Sequence, residues 1–285
     1  MGGRARIAWV CAALLILAGC GGDDTQTAAT PTPTPTATET ATPTPTAEAA
    51  IEADAVAKMP EVPVGAVGTL PPPASAKVHD PGLLHTAFES AETMWEREFG
   101  AAGSRYQHAK LVFFHSTVRT KCGEQSRETG PFYCPADFGI YLNTTFFDGL
   151  ARKYALQSGF AAGYITAHEV AHHVQELLGV HQRVAAANAS DPAGANARSI
   201  QVELQADCYA GVWLHTVSAR GELTEADVQD IVTAATVVGD DYQRNSAGAE
   251  LAPETWTHGS SADRVRWVLT GLQQGLPSAC NTFAS

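Results

Sequence analysis

From Leu83 onward the apolar residues of this chain fall at steps of three and four: Leu83, Leu84, Ala87, Phe88, Ala91, Met94, Trp95 and Phe99. That spacing lines one face of a helix and predicts an amphipathic α-helix packed on a core. Asp80-Pro81 supplies its start, an N-cap followed by proline at the first helical position. The period then changes. Lys110 to Val118 and Phe138 to Asn143 are rich in β-branched and aromatic residues and predict two strands. The Gly- and Pro-containing loop between them carries Cys122 and Cys134, so it reads as a stapled excursion. His115 falls inside the first strand, where a histidine is ordinarily a satisfied structural residue.

Helical spacing returns with Phe160, Tyr164, Ile165, Val174, Leu177 and Leu178, and Gly179 follows as a stop. Residues 185 to 199 are small and polar and read as an exposed loop. A second helix is expected from Ile200 to about Val217. Thr224 to Asp227 opens a third with a capping-box arrangement. Ser260 to Asp263 opens a last one, whose apolar set is Val265, Trp267, Val268, Leu269 and Leu272.

The first 79 residues follow another logic. A positive start is followed by an apolar run from Ile7 to Gly19 and then Cys20. That is a secretory signal, too short for a spanning helix of about 20 residues. Leu17-Ala18-Gly19-Cys20 resembles a bacterial lipobox, which implies cleavage before Cys20 and lipid on its sulfur. The alternative is plain secretion. Residues 21 to 49 are a Thr- and Pro-rich low-complexity segment with almost nothing to bury, so a disordered, extended stalk is expected. Prolines at 60, 63 and 71 to 73 mark a transition up to residue 79. The chain thus divides into a signal (1–19), a stalk with its transition (20–79) and a folded domain (80–285).

Charge narrows the partners. With 18 Lys and Arg against 30 Asp and Glu, the formal charge is −12, and no basic cluster or glycine-rich phosphate loop occurs. Nucleic acid is not an expected partner of so acidic a chain.

The candidate chemistry lies on the second set of helical residues. His168-Glu169-Val170-Ala171-His172 has the form H-E-x-x-H. Residues four apart lie one above the other on a helix, so His168 and His172 can bind one metal ion. Glu169, one step round from His168, can act as a base toward a water on that metal. A catalytic zinc ordinarily takes a third protein ligand. Glu203 and Asp207 share a face of the next helix, whose flanks Leu204, Cys208, Tyr209, Val212, Trp213 and Leu214 are apolar. Two buried carboxylates there would be costly unless metal-bound or paired. One can ligate zinc and the other can hold a ligating histidine. Farther on, Thr257 to Arg264 places His258 on a loop six residues ahead of Arg264. His258 is a candidate donor to the oxyanion of an acyl-transfer intermediate, and Arg264 a candidate partner for Asp207.

Four stretches carry a resemblance. They are Pro131 to Asp137, His168 to Gln175, Glu203 to Trp213 and Thr257 to Arg264. Together they resemble the bacterial neutral zinc metallopeptidases of the YpfJ type over roughly residues 80 to 283. T-H-x-x-x-x-x-R after E-x-x-x-D is also similar to the arrangement in membrane-embedded zinc proteases related to HtpX. The resemblance implies an α+β, mainly helical domain of zincin type, with a small sheet over an active-site helix and further helices below. It implies one zinc ion on His168, His172 and Glu203, with Glu169 as base. Ala171 stands where that pattern leads one to expect glycine. There is no third histidine at the metzincin spacing, which favours a glutamate ligand.

Cysteine use agrees with export. Setting aside Cys11 in the signal and Cys20 for lipid leaves Cys122, Cys134, Cys208 and Cys280, which allow three pairings. The short loop favours Cys122–Cys134, and Cys208–Cys280 would then tie the chain's end to the second helix. Cys208 lies about 100° round the helix from Asp207, away from a ligand position. The expected protein is a zinc endopeptidase acting on protein or peptide, lipid-anchored at the outer face of the bacterial cytoplasmic membrane or secreted. Two alternatives stay open: a silent zincin-fold binding or assembly lipoprotein, and a zinc amidase acting on cell-wall material.

Overall fold

The computed structural model describes residues 80–249 and 252–284. The signal, Cys20 and the stalk lie outside the described residues. Helix α1, Pro81–Ala101, starts where the sequence indicates, with the Asp80 carboxylate accepting from the Gly82 amide at 2.9 Å. It buries Leu84, Ala87, Phe88, Ala91, Met94, Trp95 and Phe99.

Two sheets follow. Strand β1 (Lys110–Phe114) pairs in parallel with β5 (Gly139–Asn143), in the register Leu111↔Ile140. Strand β4 (Phe132–Cys134) pairs antiparallel with β5, so the order is β1-β5-β4. The expected pair of strands is therefore real, but the first is shorter than Lys110 to Val118. The chain bends after Phe114, and Val118 belongs to β2 (Thr117–Thr120), which pairs with β3 (Gly123–Ser126) in a separate hairpin. His115 sits at that bend, its Nδ1 2.6 Å from the Thr144 hydroxyl. A disulfide joins Cys122 to Cys134 and ties the hairpin to β4.

All five residues of β5 are buried, and its last residue, Asn143, caps α2 (Thr144–Tyr154), a helix with no counterpart in the sequence reading. Helix α3 (Gly159–Leu177) carries the H-E-x-x-H stretch and is buried almost all round. A helix so enclosed must pack on several sides. It does so against α1, α5, α6 and the three-stranded sheet.

The expected loop at 185–199 is instead mostly helix. Val180–Ser190 forms α4, and only residues 191 to 194 separate it from α5 (Ala195–Ala219). Alanine-rich sequence favours helix where packing allows it. Here Val180 and Val184 pack with Val202 and Phe283, which anchors a stretch that looks polar by composition. Helix α5 thus begins five residues before Ile200. Helix α6 (Glu225–Val237) has the capping box at Thr224 and Asp227. It is followed by α7 (Asp240–Ser246) and α8 (Ser261–Gln274), the latter capped by Ser260.

Helices α5 and α8 cross at very short range. A β-carbon on Gly211 would run into the Val268 carbonyl, and one on Gly271 into the Cys208 carbonyl. Only glycine on both sides permits this approach. The Cys208–Cys280 disulfide closes the chain over the same crossing. Among the described residues no helix is long and apolar enough to cross a membrane. The domain is α+β and mainly helical, with the small sheet against the helix that carries the candidate site.

Candidate metal centre

Helix α3 brings His168 and His172 together as their spacing requires, and their Nε2 atoms stand 3.1 Å apart. Helix α5 supplies Glu203. Its Oε2 lies 3.3 Å from His168 Nε2 and its Oε1 3.5 Å from His172 Nε2. Two donors about 2.0–2.1 Å from a tetrahedral zinc stand roughly 3.3 Å apart, so these separations suit one such ion. The donor chemistry fits as well. His168 Nδ1 is 2.8 Å from the Asp207 carboxylate, which can only accept, so that nitrogen carries the proton. Gln175 Oε1 lies 2.9 Å from His172 Nδ1, and the Gln175 amide nitrogen donates to the Val202 carbonyl at 2.8 Å and to Gln205 Oε1 at 3.0 Å. That fixes the amide oxygen toward His172, whose Nδ1 must donate. Both Nε2 atoms therefore face each other and Glu203 as lone pairs, an arrangement that calls for a cation.

Without a metal, a proton serves that purpose. Burial opposes it, but the Asp207 and Glu203 carboxylates raise His168 to about 9. Burial, assisted by the charge on His168, lowers His172 to about 4 against the attraction of Glu203. Glu203 is held well below the usual carboxylate range; the histidines and His258 outweigh its burial.

Glu169 borders the same face and is buried. Burial, with the Glu203 carboxylate nearby, pushes it up to about 7 against the pull of His168. A carboxyl near neutrality is suited to taking up and giving back a proton.

Asp207 is fully buried and accepts four hydrogen bonds. Arg264 Nε donates to Oδ2 at 2.8 Å and Nη2 to Oδ1 at 2.9 Å, a bidentate pair. Oδ1 also receives His168 Nδ1–H and, at 2.6 Å, the Tyr164 hydroxyl. Burial works against the charge, but Arg264 and His168 bring Asp207 down to about 2. Asp207 and Arg264 thus stand in the relation the sequence suggests, with Asp207 behind His168.

His258 is half-buried on the loop between α7 and α8, and its charge acts on both Glu169 and Glu203. The cysteines pair as Cys122–Cys134 and Cys208–Cys280, and Cys208 is no part of the cluster.

Four contributors escape the sequence reading. Tyr164 reads as one of the apolar positions of its helix, yet its hydroxyl reaches Asp207; one turn before His168, it is within range of whatever holds that histidine. Gln175 lies three residues past His172, a spacing at which a side chain can reach back. Gln205, on α5, passes the connection on to the Cys280 carbonyl at 3.3 Å. The fourth, Asp240, 3.3 Å from His258 Nδ1, gives no signal in the sequence.

Two histidines and a glutamate around one point, a further glutamate beside them and a buried carboxylate behind the first histidine define a candidate metal centre. Comparison with known proteins makes this specific. Residues 74–283 match the family described as "Putative neutral zinc metallopeptidase", and the chain belongs to that family. The protein YpfJ of Escherichia coli (strain K12) is 40% identical over 196 residues, covering 68% of each chain. The protein Rv2575 of Mycobacterium tuberculosis is 42% identical over 191 residues, covering 63% of this chain and 64% of its own. No solved structure matches the chain.

Proposed function

We propose that this protein is a zinc-dependent endopeptidase of the cell envelope, with His168, His172 and Glu203 as ligands and Glu169 as general base. The observation that carries the reading is the convergence of the two histidine Nε2 atoms, 3.1 Å apart, on the Glu203 carboxylate, with Oε2 3.3 Å from His168 and Oε1 3.5 Å from His172, and Glu169 on the adjoining helical position. Zinc, when bound, supplies Lewis acidity that lowers the pKa of a coordinated water and polarises the scissile carbonyl. Glu169 takes the proton of the attacking water and delivers it to the leaving amine. His258 donates toward the oxygen that gains charge. Asp207, pinned by Arg264 and Tyr164, keeps the His168 ring turned so that Nε2 faces the site, and Gln175 does the same for His172. Export with a lipid on Cys20 rests on residues 1 to 20, and the stalk would hold the domain away from the membrane.

Glu169→Gln tests the reaction. The variant should hold zinc and melt as the parent does while hydrolysis of a fluorogenic peptide library falls by about 10²–10⁴. Undiminished turnover would remove Glu169 from the chemistry.

A further inference from the structure

The loop that bears His258 is built around one carboxylate. Asp240, the first residue of α7, accepts on Oδ2 from three successive backbone amides: Thr257 at 2.9 Å, His258 at 2.7 Å and Gly259 at 3.0 Å. Its own amide donates to the Gly259 carbonyl at 2.9 Å, which closes the contact from both sides. Gly259 takes φ +91°, a conformation that L side chains rarely adopt, so the loop follows this path only with glycine there. The remaining oxygen, Oδ1, lies 3.3 Å from His258 Nδ1, and the Thr257 hydroxyl is 3.1 Å from the same nitrogen.

A carboxylate that gathers three adjacent amides fixes a backbone more firmly than a turn needs. Asp241 beside it makes a separate set of contacts. It accepts from the Ser261 amide at 2.7 Å and the Ser261 hydroxyl at 2.6 Å and so ties the start of α8. Asp240 is therefore not required to hold α8 to α7. What it adds is a contact with the ring of His258.

We propose that Asp240 is the positioning residue of His258, fixing the loop backbone through Oδ2 and the plane of the imidazole through Oδ1. The reading rests on the endopeptidase function proposed above, because it is the reacting carbonyl that gives the ring's position its value. Catalytic groups must be held to within about half an ångström of their working place, which is what two attachments to one carboxylate achieve. Asp240 acts through His258 and its loop, and its hydrogen bonds go to Thr257, His258 and Gly259 rather than to His168, His172 or Glu203.

The test uses the zinc-loaded full chain with Asp240→Asn, His258→Ala and the pair together. His258→Ala should lower kcat by about 10²–10³. Asp240→Asn should lower kcat by about 10–100-fold with KM and zinc content unchanged. The double variant should match His258→Ala alone, since Asp240 has nothing left to position. Independent losses that multiply in the double variant, or a wild-type kcat in Asp240→Asn, overturn the proposal. Histidine side-chain ¹H–¹⁵N spectra supply a readout free of turnover. Asp240→Asn should shift the His258 Nδ1 signal and leave those of His168 and His172 in place. An unmoved His258 signal overturns the proposal even if the wild-type chain hydrolyses no peptide; absence of hydrolysis with a shifted signal would sink the endopeptidase reading and leave the positioning intact.

Discussion

Removing the Arg264 guanidinium tests how the buried acid behind the site is tolerated. Asp207 has no solvent exposure, and Arg264 gives it two of its four hydrogen bonds along with the compensating charge. Breaking a buried pair by deleting one partner costs about 3–5 kcal/mol, because the other charge stays behind in a medium that cannot solvate it. Tyr164 and His168 still donate to Asp207, and in the metal-free protein the proton on His168 retains part of the compensating charge. That places Arg264→Ala near the lower end, about 3 kcal/mol, or roughly a hundredfold in the folding equilibrium. For a domain of about 200 residues this lowers Tm by roughly 6–12 °C. The measurement is urea unfolding of metal-free, disulfide-intact protein, so that zinc binding does not contribute to the difference. Arg266→Ala is the internal control. Arg266 sits on the same helix and pairs with Asp263 at 3.0 Å, but both side chains are exposed, so its loss should cost less than about 1 kcal/mol. If Arg264→Ala costs no more than Arg266→Ala, the buried pair is not what makes Asp207 tolerable. Zinc affinity should fall with it by about 10–100-fold, since His168 loses part of what orients it.

A second expectation concerns pH and lies away from the site. Glu98 on α1 is buried, its Oε2 makes no hydrogen bond, and burial pushes it up to about 7. The folded state therefore keeps a proton that the unfolded chain releases near 4.5; the stability this contributes is complete below that pH and is lost as pH rises through about 7. Glu98→Gln should match the parent near pH 4.5 and exceed it by about 3 kcal/mol at pH 8, and identical pH dependence of the two urea midpoints would contradict this. Dialysed protein should rebind about one zinc per chain, and His172→Ala should abolish that stoichiometry in elemental analysis. Cys20→Ser should shift the protein from the membrane fraction to the soluble one or leave it unprocessed, and intact mass showing no lipid on wild-type Cys20 would return the reading to plain secretion.

The site was legible wherever helical period and the cost of buried charge speak together. His168 and His172 are set by a spacing of four. Glu203 and Asp207 stand out as carboxylates among Leu204, Tyr209, Val212 and Trp213, and two acids in such company need partners. Arg264 followed from the same reasoning, as the cation Asp207 would need. What escaped depends on tertiary contact. Asp240 reaches the loop of His258 across 17 to 19 residues of sequence, and a lone aspartate at a short helix start carries no mark of that. Tyr164 looks apolar because only its terminal oxygen is engaged. Helix α4 was hidden because its alanines give no contrast between faces, and its anchor, Phe283, comes from the far end of the domain.

The close crossing of α5 and α8 bears on when the site can exist. His168, Glu169 and His172 emerge from the ribosome well before His258 and Arg264, and the Cys208–Cys280 bridge needs residues that come later still. Until α8 arrives, Asp207 lacks its guanidinium and Gly211 faces nothing. A nascent chain carries the full H-E-x-x-H helix yet lacks the backing that turns His168 toward the metal. Completion of the centre is thereby tied to completion of the domain and, through the Cys208–Cys280 disulfide, to oxidising conditions. A centre assembled in that order is incomplete until the last helix has been made.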